Sequence, residues 1–236
     1  MLKRYLLRLL IRLPIAGVVL FLYVFRREVL AGAGDFSFVR PFSFLHVLWA
    51  LLMFNMIIHL FTIDKLSLAN NKQFKRYYQS AGTAKYGFAA LTVYIKKARQ
   101  RGILVIVSWL LLHALLIPLY QNKLLGPPEM IVLSIIYFIA DIFGMLFFCP
   151  FQRWLLKCNC CVQCPIYGWS HIMMYTPMLF FISFYSYSLF FMSFLLWLKW
   201  EMAIIRHPER FWVKSNAALS CAHCTEQLCF YKKPAS

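Results

Sequence analysis

The chain has 236 residues, of which 62% are apolar, 18% aromatic and only 14% charged. A soluble domain keeps about a quarter of its residues charged to cover its surface, so this composition excludes an ordinary soluble fold. The net charge of +17 would suit nucleic acid in a soluble chain, but here the cations fall between long apolar runs. That pattern points to membrane topology and anionic lipid headgroups, and away from nucleic acid.

Lys3, Arg4, Arg8 and Arg12 precede the first apolar run. Arg4, Arg8 and Arg12 recur every four residues, so on a helix they share one face and can snorkel to the membrane surface. A transmembrane helix over 9–25 is expected. A signal peptide with small residues at Ala31-Gly32-Ala33 and an amphipathic helix lying on the membrane are the rival readings. A second span is expected over 43–62 and contains Asn55 and His59.

Residues 63–102 carry nine lysines and arginines against the single Asp64. Basic loops stay cytoplasmic, so this block sets orientation and is expected to meet anionic headgroups. Within it, the apolar stretch 86–95 is too short to span and reads as an interfacial helix. A third span is expected over 103–120, with His113 inside, and Gly126-Pro127-Pro128 then forms a turn. A fourth span, 130–149, contains Asp141, and a fifth, 172–198, carries Pro177 as a kink.

The expected architecture is therefore all-α and polytopic, with about five transmembrane helices in 1–198 and a polar tail over 199–236. The cysteine-rich loop 150–171 joins the last two spans. Counting charges puts the N-terminus inside and, with five crossings, the C-terminus outside. The basic tail argues against that last result.

Cysteine supplies the chemistry. Cys149 is followed by Cys158, Cys160, Cys161 and Cys164, and the tail carries Cys221, Cys224 and Cys229 with His223 between them. A Cys-x-x-Cys pair lets two thiolates reach one ion. Two such pairs, Cys161/Cys164 and Cys221/Cys224, would make a tetrahedral zinc site, and four thiolates also suit an iron–sulfur cluster. Cys160 and Cys229 would be left for redox work or another cluster. S-palmitoylation beside a membrane helix, disulfides in the tail, or no shared chemistry are the alternatives. Cys149 reads equally well as a small apolar residue at a helix end. If 172–198 crosses once, as its length favours, the two sets lie on opposite sides and cannot share an ion. A re-entrant hairpin turning in 183–188 would bring them together.

An ionisable residue inside a span is a functional candidate. Asp141 and His113 are expected to meet in a buried polar cluster, with Asn55 as a third member, serving as a proton or cation relay or as structural glue. His46 and His59 lie near membrane faces, and His171 is a candidate extra ligand. In HPERFW, Pro208 suits a first helical turn, and Phe211 and Trp212 suit the membrane interface. No nucleophilic triad, phosphate-cradling loop or carboxylate pair is present. Three functions stand: a metal-binding membrane scaffold or regulatory component with a protein partner, a thiol or iron–sulfur redox protein, and a small transporter using Asp141 and His113.

CPFQRWLLKCNCCVQCPIYGWSHIMMYTPMLF, RHPERFWVKSNAALSCAHCTEQLC and KQFKR at 72–76 resemble a family of uncharacterised multi-pass integral membrane proteins of clostridial and related bacteria. The resemblance covers most of the chain and implies a bacterial cytoplasmic membrane location, with no activity attached. That family often has Arg after the last loop cysteine, and Asn before and Asp after the tryptophan. This chain has Pro165, Gly168 and Ser170 there. Cys149-Pro150 and Cys164-Pro165 are also similar to the Cys-Pro motifs of membrane ferredoxin-like proteins.

Overall fold

A computed structural model describes residues 2–33, 44–62, 71–81, 87–158 and 160–223. Among them the fold is all-α, with no strand beyond an isolated bridge between Ser80 and Asn216. The helices are α1 (Leu2–Phe25), α2 (Arg27–Ala31), α3 (Phe44–Phe61), α4 (Gly87–Ala114), α5 (Leu116–Gln121), α6 (Pro127–Leu146), α7 (Trp169–Tyr175) and α8 (Phe184–Arg206). Four segments of the described residues are long and apolar enough to cross a membrane: Lys3–Phe25, Gly87–Gln121, Pro127–Leu146 and Phe184–Arg206. Leu45–Phe61 is a shorter apolar helix. The protein is thus a polytopic α-helical membrane protein.

The helices show the inverted economy of a bundle in lipid. Leu10, Phe21, Phe54, Leu111 and Phe191 are exposed on the outside, where only hydrocarbon would tolerate them. Small residues such as Ala16, Ser134 and Ser193 are buried between helices, letting backbones approach closely. α1 and α6 run antiparallel. Tyr5 packs with Leu146 at one end, and Val19 packs with Met130 and Ile131 toward the other. α6 starts on Pro127 and Pro128, with Glu129 Oε2 accepting the Gly126 N–H at 2.7 Å. Fixed φ and a satisfied first-turn donor explain that start.

α4 differs from expectation. The stretch 86–95 does not form a separate interfacial helix, because one helix runs from Gly87 to Ala114. No proline interrupts it. Its cationic part is held at one end of the bundle, where Arg101 Nη1 donates to the Leu156 carbonyl at 3.4 Å.

The fifth apolar run also differs. It does not cross once over 172–198. α7 ends at Tyr175, Pro177 lies in a 3-10 turn over Thr176–Phe180, and Phe181 and Ser183 are extended before α8 begins. Phe181 reaches the cluster of Val19, Leu30 and Met130, and α8 then returns alongside α7. Trp169 meets Trp197, with ring centroids 6.2 Å apart. Gly168, just before α7, lies under the Trp200 indole near the end of α8. Pro177 removes a helical donor and clashes with the preceding turn, which ends α7, and the chain reverses at the extended residues Phe181 and Ser183. The cysteine loop and the start of the tail therefore share one end of the bundle, together with Tyr5 of α1.

Candidate functional site

That shared end is a folded cap built by three polar segments. Gln73 Nε2 donates to the Val162 carbonyl at 2.9 Å, tying 71–81 to the cysteine loop. Gln163 Nε2 donates to the Leu219 carbonyl at 3.2 Å, tying the loop to the tail. Asn216 joins the tail to 71–81. Its Nδ2 donates to the carbonyls of Lys72 (3.0 Å) and Arg210 (2.8 Å), and its Oδ1 accepts from the Gln79 and Ala218 N–H groups. Asn216 is fully buried, and all of these bonds replace lost water.

Beneath them lies an aromatic layer. Tyr167 stacks on Trp200, with centroids 5.7 Å apart, and meets Phe211 edge-on at 4.9 Å. Phe74 packs on Trp200 at 4.9 Å, and Trp212 stacks on Tyr94 at 5.5 Å. Burial pushes the Tyr167 phenol well above its ordinary value, and nearby Tyr94 and Cys164 add to that rise. Phe211 and Trp212 were expected at the membrane interface. They are instead buried inside the cap, because the α7–α8 hairpin returns the tail to the cysteine loop.

The expected headgroup contact of 63–102 changes in part as well. Residues 63–70 and 82–86 lie outside the described residues. Within the described part, Asn71, Lys72 and Gln73 are buried in the cap, whereas Lys75 and Arg76 are exposed.

The cap gathers described members of both cysteine sets at one end. Cys160 packs on the cluster containing Val162 and Leu219, and Cys221 follows Leu219 by two residues. Cys149, Cys158, Cys160 and Cys164 are half-buried, and Cys221 is exposed. The Cys161 side chain, Cys224 and Cys229 lie outside the described residues. Among the described residues, no group of three His, Cys, Asp or Glu side chains is placed to hold a metal ion.

The intramembrane polar residues are partnered differently from expectation. Asp141 Oδ2 accepts from Arg12 Nη1 at 2.8 Å, and the same nitrogen donates to the Phe138 carbonyl at 2.6 Å. Arg12 does not snorkel outward; it bridges α1 to α6 and lies over the Phe138 ring, 4.4 Å from its centroid. Asp141 and Asn55 line one cavity of about 630 Å³, and His113 is not among its lining residues. His113 instead packs against Trp109 and Tyr137, with its Nδ1 2.9 Å from the Trp109 carbonyl. The Arg12–Asp141 pairing could have been sought from sequence, since a lone carboxylate in a span demands a cation. Asn216 carried no such signal, because a buried hub amide resembles any loop asparagine.

No family model, curated protein or solved structure matches this chain. Its fold and sites define a polytopic membrane protein with a folded, cysteine-bearing cap at one end and a polar-ended cavity within the bundle.

Proposed function

We propose that the chain is a cytoplasmic-membrane protein of a bacterium whose cap is a thiolate metal site on the cytoplasmic face, serving as a scaffold or regulatory platform for a protein partner. The observation that carries this reading is the Gln163–Leu219 hydrogen bond, which holds the Cys160–Cys164 loop beside the Cys221 segment. With described members of both sets at one end, Cys-x-x-Cys pairs from the loop and the tail would complete one tetrahedral thiolate set. That arrangement suits zinc, or an iron–sulfur cluster if electrons are passed.

Charge supports the orientation. Among the described residues, the end opposite the cap holds only Arg26, Arg27 and Lys123 as lysines or arginines. The cap end carries Lys3, Arg4 and the cations of 71–81, 96–101 and 153–157, so the positive-inside rule puts it in the cytoplasm. The transport reading has less support, because Asp141 is engaged by Arg12 and His113 lies away from it.

Elemental analysis and absorption spectra of full-length protein purified with and without oxygen test the proposal. About one zinc per chain, lost in a variant with Cys161 and Cys221 both changed to Ser, is the expected result. A brown protein with charge-transfer bands moves the reading to electron transfer. Metal-free protein from both preparations overturns it. After chelation of the metal, a membrane-impermeant maleimide should label Cys158 and Cys221 from the same side of the membrane.

A further inference from the structure

A cavity between α1, α3, α6, α7 and α8 abuts the cap, with Gly168 and Trp200 among its lining residues. It is polar at one end only. Arg8 and Arg12 of α1, His59 of α3, Asp141 of α6, and Ser170 and His171 of α7 line that end. The His59 and His171 rings stand edge-on, with centroids 5.6 Å apart. Among the described lining residues, two arginines and one carboxylate stand at this end, with imidazole and hydroxyl groups beside them as hydrogen-bond donors.

Asn55, one turn before His59 on α3, and Tyr175 also line it; beyond them the walls are hydrocarbon, from Val18 and Ile15 of α1 to Val47 and Leu51 of α3. Ile11, Val18, Val47 and Leu51 line the cavity and are exposed, Leu51 by 61%. Exposed apolar side chains of α1 and α3 border the cavity, so among the described residues it opens past hydrocarbon-facing walls. Its polarity also runs in the right direction. His59 is near the cap end of α3, and Val47 is about 18 Å deeper at 1.5 Å per residue. One leaflet of hydrocarbon is about 15 Å thick, half of the usual core.

We propose that this cavity binds a phosphate-bearing anionic membrane lipid of the cap-side leaflet. Its headgroup lies against Arg8, Arg12 and the histidine pair, and an acyl chain lies along Val47 and Leu51. Charge complementarity selects the headgroup, since a guanidinium forks onto phosphate oxygens. The lateral opening selects a ligand that arrives through the bilayer. The cavity's volume falls in the ordinary range for ligand sites, about 300–1,000 Å³. Arg12 keeps its bond to Asp141 in this arrangement, which holds its guanidinium in place.

The test uses full-length protein in detergent, titrated with micelles containing dioleoyl phosphatidylglycerol or dioleoyl phosphatidylcholine and read by native mass spectrometry. Phosphatidylglycerol should be retained about tenfold more tightly, the scale of one charge-assisted contact set. Arg8→Gln should remove most of that preference. Leu51→Trp, on an exposed wall, should weaken retention of both lipids without touching the head site. Arg206→Gln, an exposed cation elsewhere at the cap end, should change nothing. Should Arg8→Gln fail to fold, the comparison of Leu51→Trp with Arg206→Gln decides. Equal retention of the two lipids would overturn the proposal. So would phosphatidylglycerol retention that Leu51→Trp leaves undiminished, which would mean diffuse attraction to a basic surface. Displacement of the lipid by millimolar inorganic phosphate alone would mark a free-anion site and overturn the lipid assignment. None of these outcomes depends on whether the cap holds metal.

Discussion

Arg12 and Asp141 form an ion pair between α1 and α6, Nη1 to Oδ2 at 2.8 Å, with both side chains 16% exposed. Within a bundle of apolar helices, each charge makes the other tolerable. Breaking such a pair leaves a charge without a partner in a poorly solvated place. Asp141→Ala should destabilise the protein by about 3 kcal/mol, near the low end for a buried pair because some exposure remains. The double variant Arg12→Leu/Asp141→Leu should recover most of that loss. Thermal unfolding in detergent reads both; an additive double variant would refute the pairing.

Gly168 is required for two reasons. Its φ is +70°, a conformation that side chains rarely adopt, and a Cβ there would fall inside the Trp200 indole. Gly168→Ala should cost about 2–4 kcal/mol, combining backbone strain with overpacking. Adding Trp200→Ala removes the clash but not the strain. The cost of the glycine substitution should then drop to about 1 kcal/mol, as a double-mutant cycle would show.

Asn216 replaces water for four backbone groups at once. Asn216→Ala should loosen the tail by about 3 kcal/mol, since several buried partners lose their bonds together. Trypsin should then cut faster at exposed Lys214, with little change at the far-end Lys123. Unchanged cleavage would show that the aromatic layer alone holds the tail.

Tyr167 gives the cap an alkaline limit. Its folded pKa lies above the value of about 10 for the unfolded chain. Above pH 10 the unfolded state releases the proton while the folded state keeps it, so stability falls as pH rises. Below pH 10 the contribution is fully present. Tyr167→Phe, which cannot ionise, should flatten the fall in unfolding temperature above pH 10. An equally steep fall would assign the alkaline sensitivity elsewhere.

Composition and run lengths alone determined that this chain is a polytopic helical membrane protein, because crossing hydrocarbon demands long apolar helices whatever they pack against. Gly126-Pro127-Pro128 marked a break between spans for an equally local reason, although the two prolines open α6 where the sequence reading placed a turn. Spacing also marked the two cysteine sets and the lone carboxylate Asp141. Partnership was not legible. Arg12 reads as one of four cations in an N-terminal cluster until α6 lies beside α1. The apolar run after His171 is long enough for one crossing, and only tertiary contacts such as Trp169 with Trp197 and Gly168 under Trp200 show that it doubles back. That reversal decides whether loop and tail meet. It depends on contacts between residues far apart in the chain, which hydropathy, a local quantity, does not record.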